Sequence, residues 1–157
     1  MIGAAVLAAA LLATPTATQT PTLTAPATAS IMTGPQLPYA GKYRIKTQDK
    51  WAMCIAKRES NYHWFSTNRA GGYAGAFQFN NALKRGATWM MLPELRVMLG
   101  KDRARIVSFT LRTTPMNKWR PYWQHMAFAT VLNWEAPGSG AHHWAGGRFA
   151  CQLKKGK

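Results

Sequence analysis

The sequence predicts a mainly α-helical domain behind an exported, disordered leader rich in Thr, Pro and Ala. Three observations predict it. Residues 1–41 carry no charged side chain, and from Thr14 to about Ala40 they are chiefly Thr, Pro and Ala, too poor in apolar surface to offset the entropy of ordering. Beyond Lys46, apolar residues recur at helical spacing and no strand-like alternation stands out. The segment Pro121 to Asn133 is apolar on nearly every side (Tyr122, Trp123, Met126, Phe128, Val131, Leu132), as a central buried helix is. A chain of 157 residues has room for one such domain and some extra chain.

In the leader, Ile2 to Ala13 is a run of apolar and small residues. It is too short for a bilayer core of about 30 Å but suits the core of a signal peptide, although no Lys or Arg precedes it. Ala27-Thr28-Ala29 offers a small-residue cleavage site. The expected organisation is therefore a signal peptide over 1–29, a linker over 30–46, a folded domain over 47–153 and a basic tail over 154–157. No transmembrane segment is expected, and the mature protein is expected to be secreted.

The folded region is read in order. Asp49 caps a helix beginning at Lys50. Trp51, Ile55 and Glu59 follow at i, i+4 and i+8, with Cys54 on the adjacent row, so they share one face. A carboxyl group at the end of an apolar face is partly desolvated, and desolvation favours the protonated form that a general acid needs. The plainer reading of Glu59 is an ion pair with Arg58 or Arg69. Asn61 to Gly75 is a loop in which Tyr62, His63, Trp64, Phe65 and Tyr73 stand among Asn, Ser, Thr and Gly, a mixture suited to sugar rings or bases, or to simple packing of Trp64 and Phe65. Gly71, Gly72 and Gly75 call for positive φ or close backbone approach. In Gly75-Ala76-Phe77-Gln78-Phe79, Gln78 sits between two apolar aromatics and needs a partner.

A second helix starts at Asn80 or Asn81 and runs to about Met91, and Pro93 to Leu99 forms a short third one closed by Gly100. Asp102 to Leu111 is another helix. Ala136 to Ala141 is a loop, and His142 to Cys151 closes the domain. Cys54 and Cys151 are the only cysteines. In an exported chain a pair is the expectation, and their spacing is not that of a zinc site. His142 and His143 are adjacent, which suits surface or packing roles rather than ligation. No metal or other cofactor is called for.

Cys54-x4-Glu59-Ser60, followed by Gly71-Gly72-Tyr73-x-Gly75-Ala76-Phe77-Gln78-Phe79-Asn80, resembles the lysozyme-like superfamily. The nearest patterns are bacterial lytic transglycosylases and the resuscitation-promoting factor domain of actinobacteria. Gln124 to Phe128 and Trp144 to Cys151 match the late helix and the ending of those domains. The resemblance spans about residues 48–152. It implies a small lysozyme-like domain, expected here as a monomer, that cleaves the β-1,4 bond between N-acetylmuramic acid and N-acetylglucosamine in peptidoglycan. By position, Glu59 is then the general acid, Ser60 supports the helix end, and Trp64, Tyr73, Ala76, Phe77 and Gln78 line the saccharide cleft. The chain departs from the pattern in reading Asn80-Asn81-Ala82 where a Ser-Thr-Trp helix start is usual, and in a longer stretch from Met90 to Trp119.

Glycoside hydrolysis commonly uses two carboxylates, about 5–5.5 Å apart for retention or about 6.5–9.5 Å for inversion. Besides Glu59 there are Asp49, about 15 Å away along the helix, Asp102 as a helix cap, Glu94 in a first turn, and Glu135, the one candidate for the cleft. A single acid fits a lytic transglycosylase better than a hydrolytic muramidase. The 20 Lys and Arg against 5 Asp and Glu imply anionic partners, here peptidoglycan and anionic cell-wall polymer. The competing readings are a basic wall-binding module without catalysis and a nucleic-acid-binding domain. The second accounts for the charge and aromatics but not for the leader, the cysteines or the Glu-Ser/Gln framework, so no specific nucleic acid is expected.

Overall fold

A computed structural model describes residues 37–145 and residue 151. Around three short 3-10 segments, at 46–48, 116–118 and 139–144, it places four helices and one small hairpin. These are α1 (Asp49–Ser60), β1 (Thr67–Asn68), β2 (Tyr73–Ala74), α2 (Asn81–Leu99), α3 (Lys101–Thr113) and α4 (Pro121–Asn133). The signal peptide over 1–29, residues 30–36 of the linker and the tail over 154–157 lie outside the described residues. The domain is mainly α, as expected, and among the described residues no helix is long and apolar enough to cross a membrane.

α4 is the centre. Pro121 opens it with a φ already suited to a first helical turn, and every residue from Trp123 to Asn133 is buried. Its Phe128 stacks on Phe77 at 4.0 Å, meets Trp144 at 4.6 Å and Trp51 at 5.8 Å. α1, the Gly75–Phe79 segment and the closing 3-10 segment are thus gathered on one side chain. α2 packs on α4, and α3 packs on α2.

Five expectations are corrected. Asp49 does not cap α1: the helix starts on it, and it pairs with Arg44 instead, Nη2 to Oδ2 at 2.7 Å. The linker does not extend to 46, because Tyr39 and Tyr43 are core residues. The Tyr39 hydroxyl donates to Glu94 at 2.6 Å, and its backbone N–H donates to Nδ1 of His125 at 3.0 Å. Two isolated aromatics in a Pro-rich stretch carry no periodicity, so their anchoring was not legible. α2 does not break at Met91; Pro93 lies inside it. The ring removes one backbone donor, to the carbonyl of Trp89, but Trp89 and Pro93 both stand on the exposed face, where solvent can replace it. Met91, Glu94 and Leu95 on the opposite face are buried and hold the helix through. Asp102 is not a cap but lies in the first turn of α3, whose N-cap is Gly100 at φ 78°. The loop after α1 contains an antiparallel hairpin pairing Thr67 with Ala74 and Asn68 with Tyr73, and strands of two residues leave no alternation to read. Asn80 does cap α2, its side chain accepting from the Leu83 N–H at 2.8 Å.

Cys54 and Cys151 form a disulfide, with Cα atoms 5.8 Å apart across 97 residues of sequence. The bridge fastens the middle of α1 to the far end of the chain, and Trp51 Nε1 donates to the Cys151 carbonyl at 2.9 Å beside it.

Candidate functional site

α1 ends where the chain turns left-handed. Asn61 and Tyr62 both have positive φ, 51° and 65°, and their N–H groups close on the carbonyls of Lys57 and Ala56, a helix-ending pattern. Asn adopts this conformation readily, whereas Tyr does so at a cost. Ser60 sits at the join: its hydroxyl lies 3.1 Å from the Ala56 carbonyl and 2.9 Å from the Ala76 carbonyl. One hydroxyl proton serves one of them at a time, so Ser60 ties the helix end to the Gly75–Phe79 segment.

That segment is held from beneath by Gln124 of α4. Its Oε1 accepts from the Ala76 N–H at 2.9 Å, and its Nε2 lies within 2.7–3.1 Å of the carbonyls of Trp64, Met116 and Trp119. Gly75, at φ 82°, leaves the space for it, since a Cβ there would press on Gln124 Oε1 and on Met116. Ala76 and Phe77 are fully buried, and the Phe77 carbonyl accepts from Trp144 Nε1 at 2.9 Å. Gln78 turns out between them and Phe79 with φ 50°. Its Nε2 donates back to the Gly75 carbonyl at 2.8 Å, and among the described residues its Oε1 has no partner.

Above this floor lies a cavity of about 290 Å³ lined by Arg58, Glu59, Asn68, Tyr73, Gln78, His143 and Trp144, near the lower end for small-ligand sites. The helix end supplies Arg58 and Glu59, the hairpin supplies Asn68 and Tyr73, and the closing 3-10 segment supplies His143 and Trp144. Glu59 is paired with Arg58, the plainer alternative that its position allowed. Both contacts fall on one oxygen: Arg58 Nη2 and Nε reach Oε1 at 2.6 and 3.0 Å. Nη2 also donates to the Trp144 carbonyl at 2.8 Å, which fixes the guanidinium, while Nη1 is buried without a partner among the described residues. Among the described residues Glu59 Oε2 accepts no hydrogen bond, and the side chain is 26% exposed. One oxygen is anchored and the other is available to the cavity.

None of the other acidic residues lines this cavity. Asp49 is bound to Arg44. Glu94 is buried and accepts from the Tyr39 hydroxyl and the Lys42 N–H. Asp102 is in α3. Glu135, the one allowed near the cleft from sequence, follows Asn133, whose Nδ2 donates to Gln48 Oε1 at 2.8 Å. That contact puts the end of α4 beside the start of α1, the opposite end from Glu59.

Of the residues singled out in the sequence, Glu59, Tyr73 and Gln78 line the cavity. Ser60, Ala76 and Phe77 build its floor. Trp64 packs edge-on against Phe77 at 5.8 Å and is not among the lining side chains. Asn68, Arg58 and His143 were missed as site residues. Nothing local marks Asn68. Arg58 was seen only as a counter-ion, and His143 was given a surface or packing role. His143 is exposed overall, yet partial burial, and then the charge of His142, lowers its pKa below the usual imidazole value. A neutral ring there can donate and accept. Among the described residues, no three His, Cys, Asp or Glu side chains converge as a metal site would require. No known protein family, curated protein or solved structure matches the chain.

Proposed function

We propose that this is a secreted, monomeric enzyme of lysozyme-like fold that cleaves the β-1,4 bond between N-acetylmuramic acid and N-acetylglucosamine by lytic transglycosylation. The observation that carries the reading is the state of Glu59. It is the one acidic side chain on a polar cavity, with Oε1 anchored by Arg58 and Oε2 unengaged among the described residues. The order of helix, carboxylate, hairpin and Gly-Ala-Phe-Gln-Phe floor supports it, and the Cys54–Cys151 bridge suits an oxidising compartment.

In this mechanism Glu59 Oε2 gives its proton to the glycosidic oxygen as the bond from C1 of the muramic acid breaks. The carboxylate that remains is stabilised by the Arg58 guanidinium on Oε1. It then takes the proton of the same sugar's 6-hydroxyl as that oxygen bonds to C1, closing a 1,6-anhydro ring. No water is consumed, so no second carboxylate is needed to activate one, in keeping with where the other four stand. Asn68, Gln78 Oε1 and neutral His143 offer hydrogen bonds to acetamido and hydroxyl groups, and the 41%-exposed Tyr73 offers a ring face.

The Arg58–Glu59 pair also favours a second reading, a wall-binding module in which that pair is structural. Mass spectrometry of peptidoglycan incubated with the mature protein separates them. Anhydro-muropeptides are expected. Reducing ends would make it a hydrolytic muramidase, and binding without release would make it the module.

A further inference from the structure

α3 does not present an ordinary solvent face. It packs on α2 through Ala104, Val107, Ser108 and Leu111, positions at i, i+3, i+4 and i+7, the usual stripe of a helix docked on a body. The opposite stripe should be polar. Instead Ile106 is 48% and Phe109 59% exposed, at positions that share a face with Arg105 and Arg112. The Arg112 guanidinium lies 5.7 Å from the Phe109 ring. α3 carries Lys101, Arg103, Arg105 and Arg112 against Asp102, so 4 − 1 gives a net charge of +3. One residue beyond α2, Gly100 turns the chain into α3, and just before it Val97 is 87% exposed beside Arg96.

We infer that the outer face of α3, with the Val97 end of α2, docks on an anionic lipid surface. A bilayer interface takes up both halves of the pattern: cations to the headgroups, Ile106, Phe109 and Val97 into the acyl boundary. A polyanion such as nucleic acid or wall polymer would engage the arginines but gives no reason to hold three large apolar side chains in water. A second copy would bury the apolar residues but set one helix of net charge +3 against another. The single-residue connection and the long packing of α3 on α2 keep the face rigid before contact, so little ordering accompanies docking. This surface is separate from the Glu59 cavity and does not depend on the reading given to it.

The test uses the full chain with Phe109→Cys. Both native cysteines are in the disulfide, so the new thiol alone takes a polarity-sensitive fluorophore. With vesicles of equal parts phosphatidylglycerol and phosphatidylcholine the label at 109 is expected to shift to the blue and brighten. Pure phosphatidylcholine should give little change, and salt should reverse the effect. A label at Thr67→Cys on the hairpin should stay unshifted. Replacing Ile106 and Phe109 together by Ser should weaken binding to the mixed vesicles about tenfold or more. The inference is overturned if 109 does not respond, if 67 and 109 respond alike, or if DNA or wall fragments give the same shift. A shift that needs no vesicle and grows with protein concentration would instead identify a second copy and equally overturn it.

Discussion

Each end of α1 carries an arginine–carboxylate pair, and the two are put to different uses. At the start, Arg44 Nε and Nη2 each meet a different oxygen of Asp49, at 3.2 and 2.7 Å, and Nη1 goes to the Tyr39 carbonyl. Both carboxylate oxygens are spent on holding the chain. At the end, Arg58 places two nitrogens on a single oxygen of Glu59 and leaves the other to a polar cavity. A closed ion pair is structure. A half-open one beside hydrogen-bonding side chains is what the proposed mechanism uses.

The changes that test this contrast run from large to small. Removing the disulfide by Cys54→Ser with Cys151→Ser releases a 97-residue closure and should cost about 4 kcal/mol in urea unfolding. Both ends of α1 should lose order together, because the bridge holds its middle.

Acid should act from the Asp49 end. His125 is buried, with Nδ1 accepting from the Tyr39 N–H. Burial first, and Arg44 second, push its pKa down to about 3. The unfolded chain takes up this proton near the ordinary imidazole value of about 6.5, so below that pH the unfolded state binds more protons. Stability should therefore fall as pH drops from about 6.5 toward 3, by roughly 4 kcal/mol over the window. Denaturant midpoints across that range check it, and His125→Asn should flatten the slope. A slope unchanged in the variant would place the acid sensitivity elsewhere.

At the Glu59 end, Gln124→Leu strands the Ala76 N–H and withdraws the donor shared by three carbonyls, two of them in buried contacts. A loss of about 3 kcal/mol is expected, with the cavity floor loosening first in hydrogen exchange. Arg58→Met should be mild in stability, within about 1 kcal/mol for a partly exposed pair. It should nonetheless slow muropeptide release about tenfold, because Glu59 loses the charge that stabilises its carboxylate. Equal rates would make the pair structural.

How much of this was legible follows from the range of each interaction. α4 was read residue for residue because burial on all sides leaves a continuous apolar run. Glu59 and Gln78 were reached through local spacing, and the cysteine pair through being the only two cysteines of an expected exported chain. Tyr39 and Glu94 were not, since their hydrogen bond joins positions 55 apart and neither end carries a pattern. Pro93 misled because its local rule, a helix start, yielded to the buried face of α2. Gln124 was noticed only as part of a resemblance; that one amide serves four backbone groups is a property of the fold. Asn68 and His143 reach the cavity through the hairpin and the closing segment, and neither placement leaves a sequence signal.

The most direct measurement compares the two ends in one assay: muropeptide release from purified peptidoglycan by Glu59→Gln and by Asp49→Asn, each verified to be folded. Glu59→Gln should lower the rate by about 10³-fold, while Asp49→Asn should leave it within about twofold and cost under about 1 kcal/mol of stability. Release retained by Glu59→Gln, or lost equally in both, would contradict the assignment of the chemistry to the open end of α1.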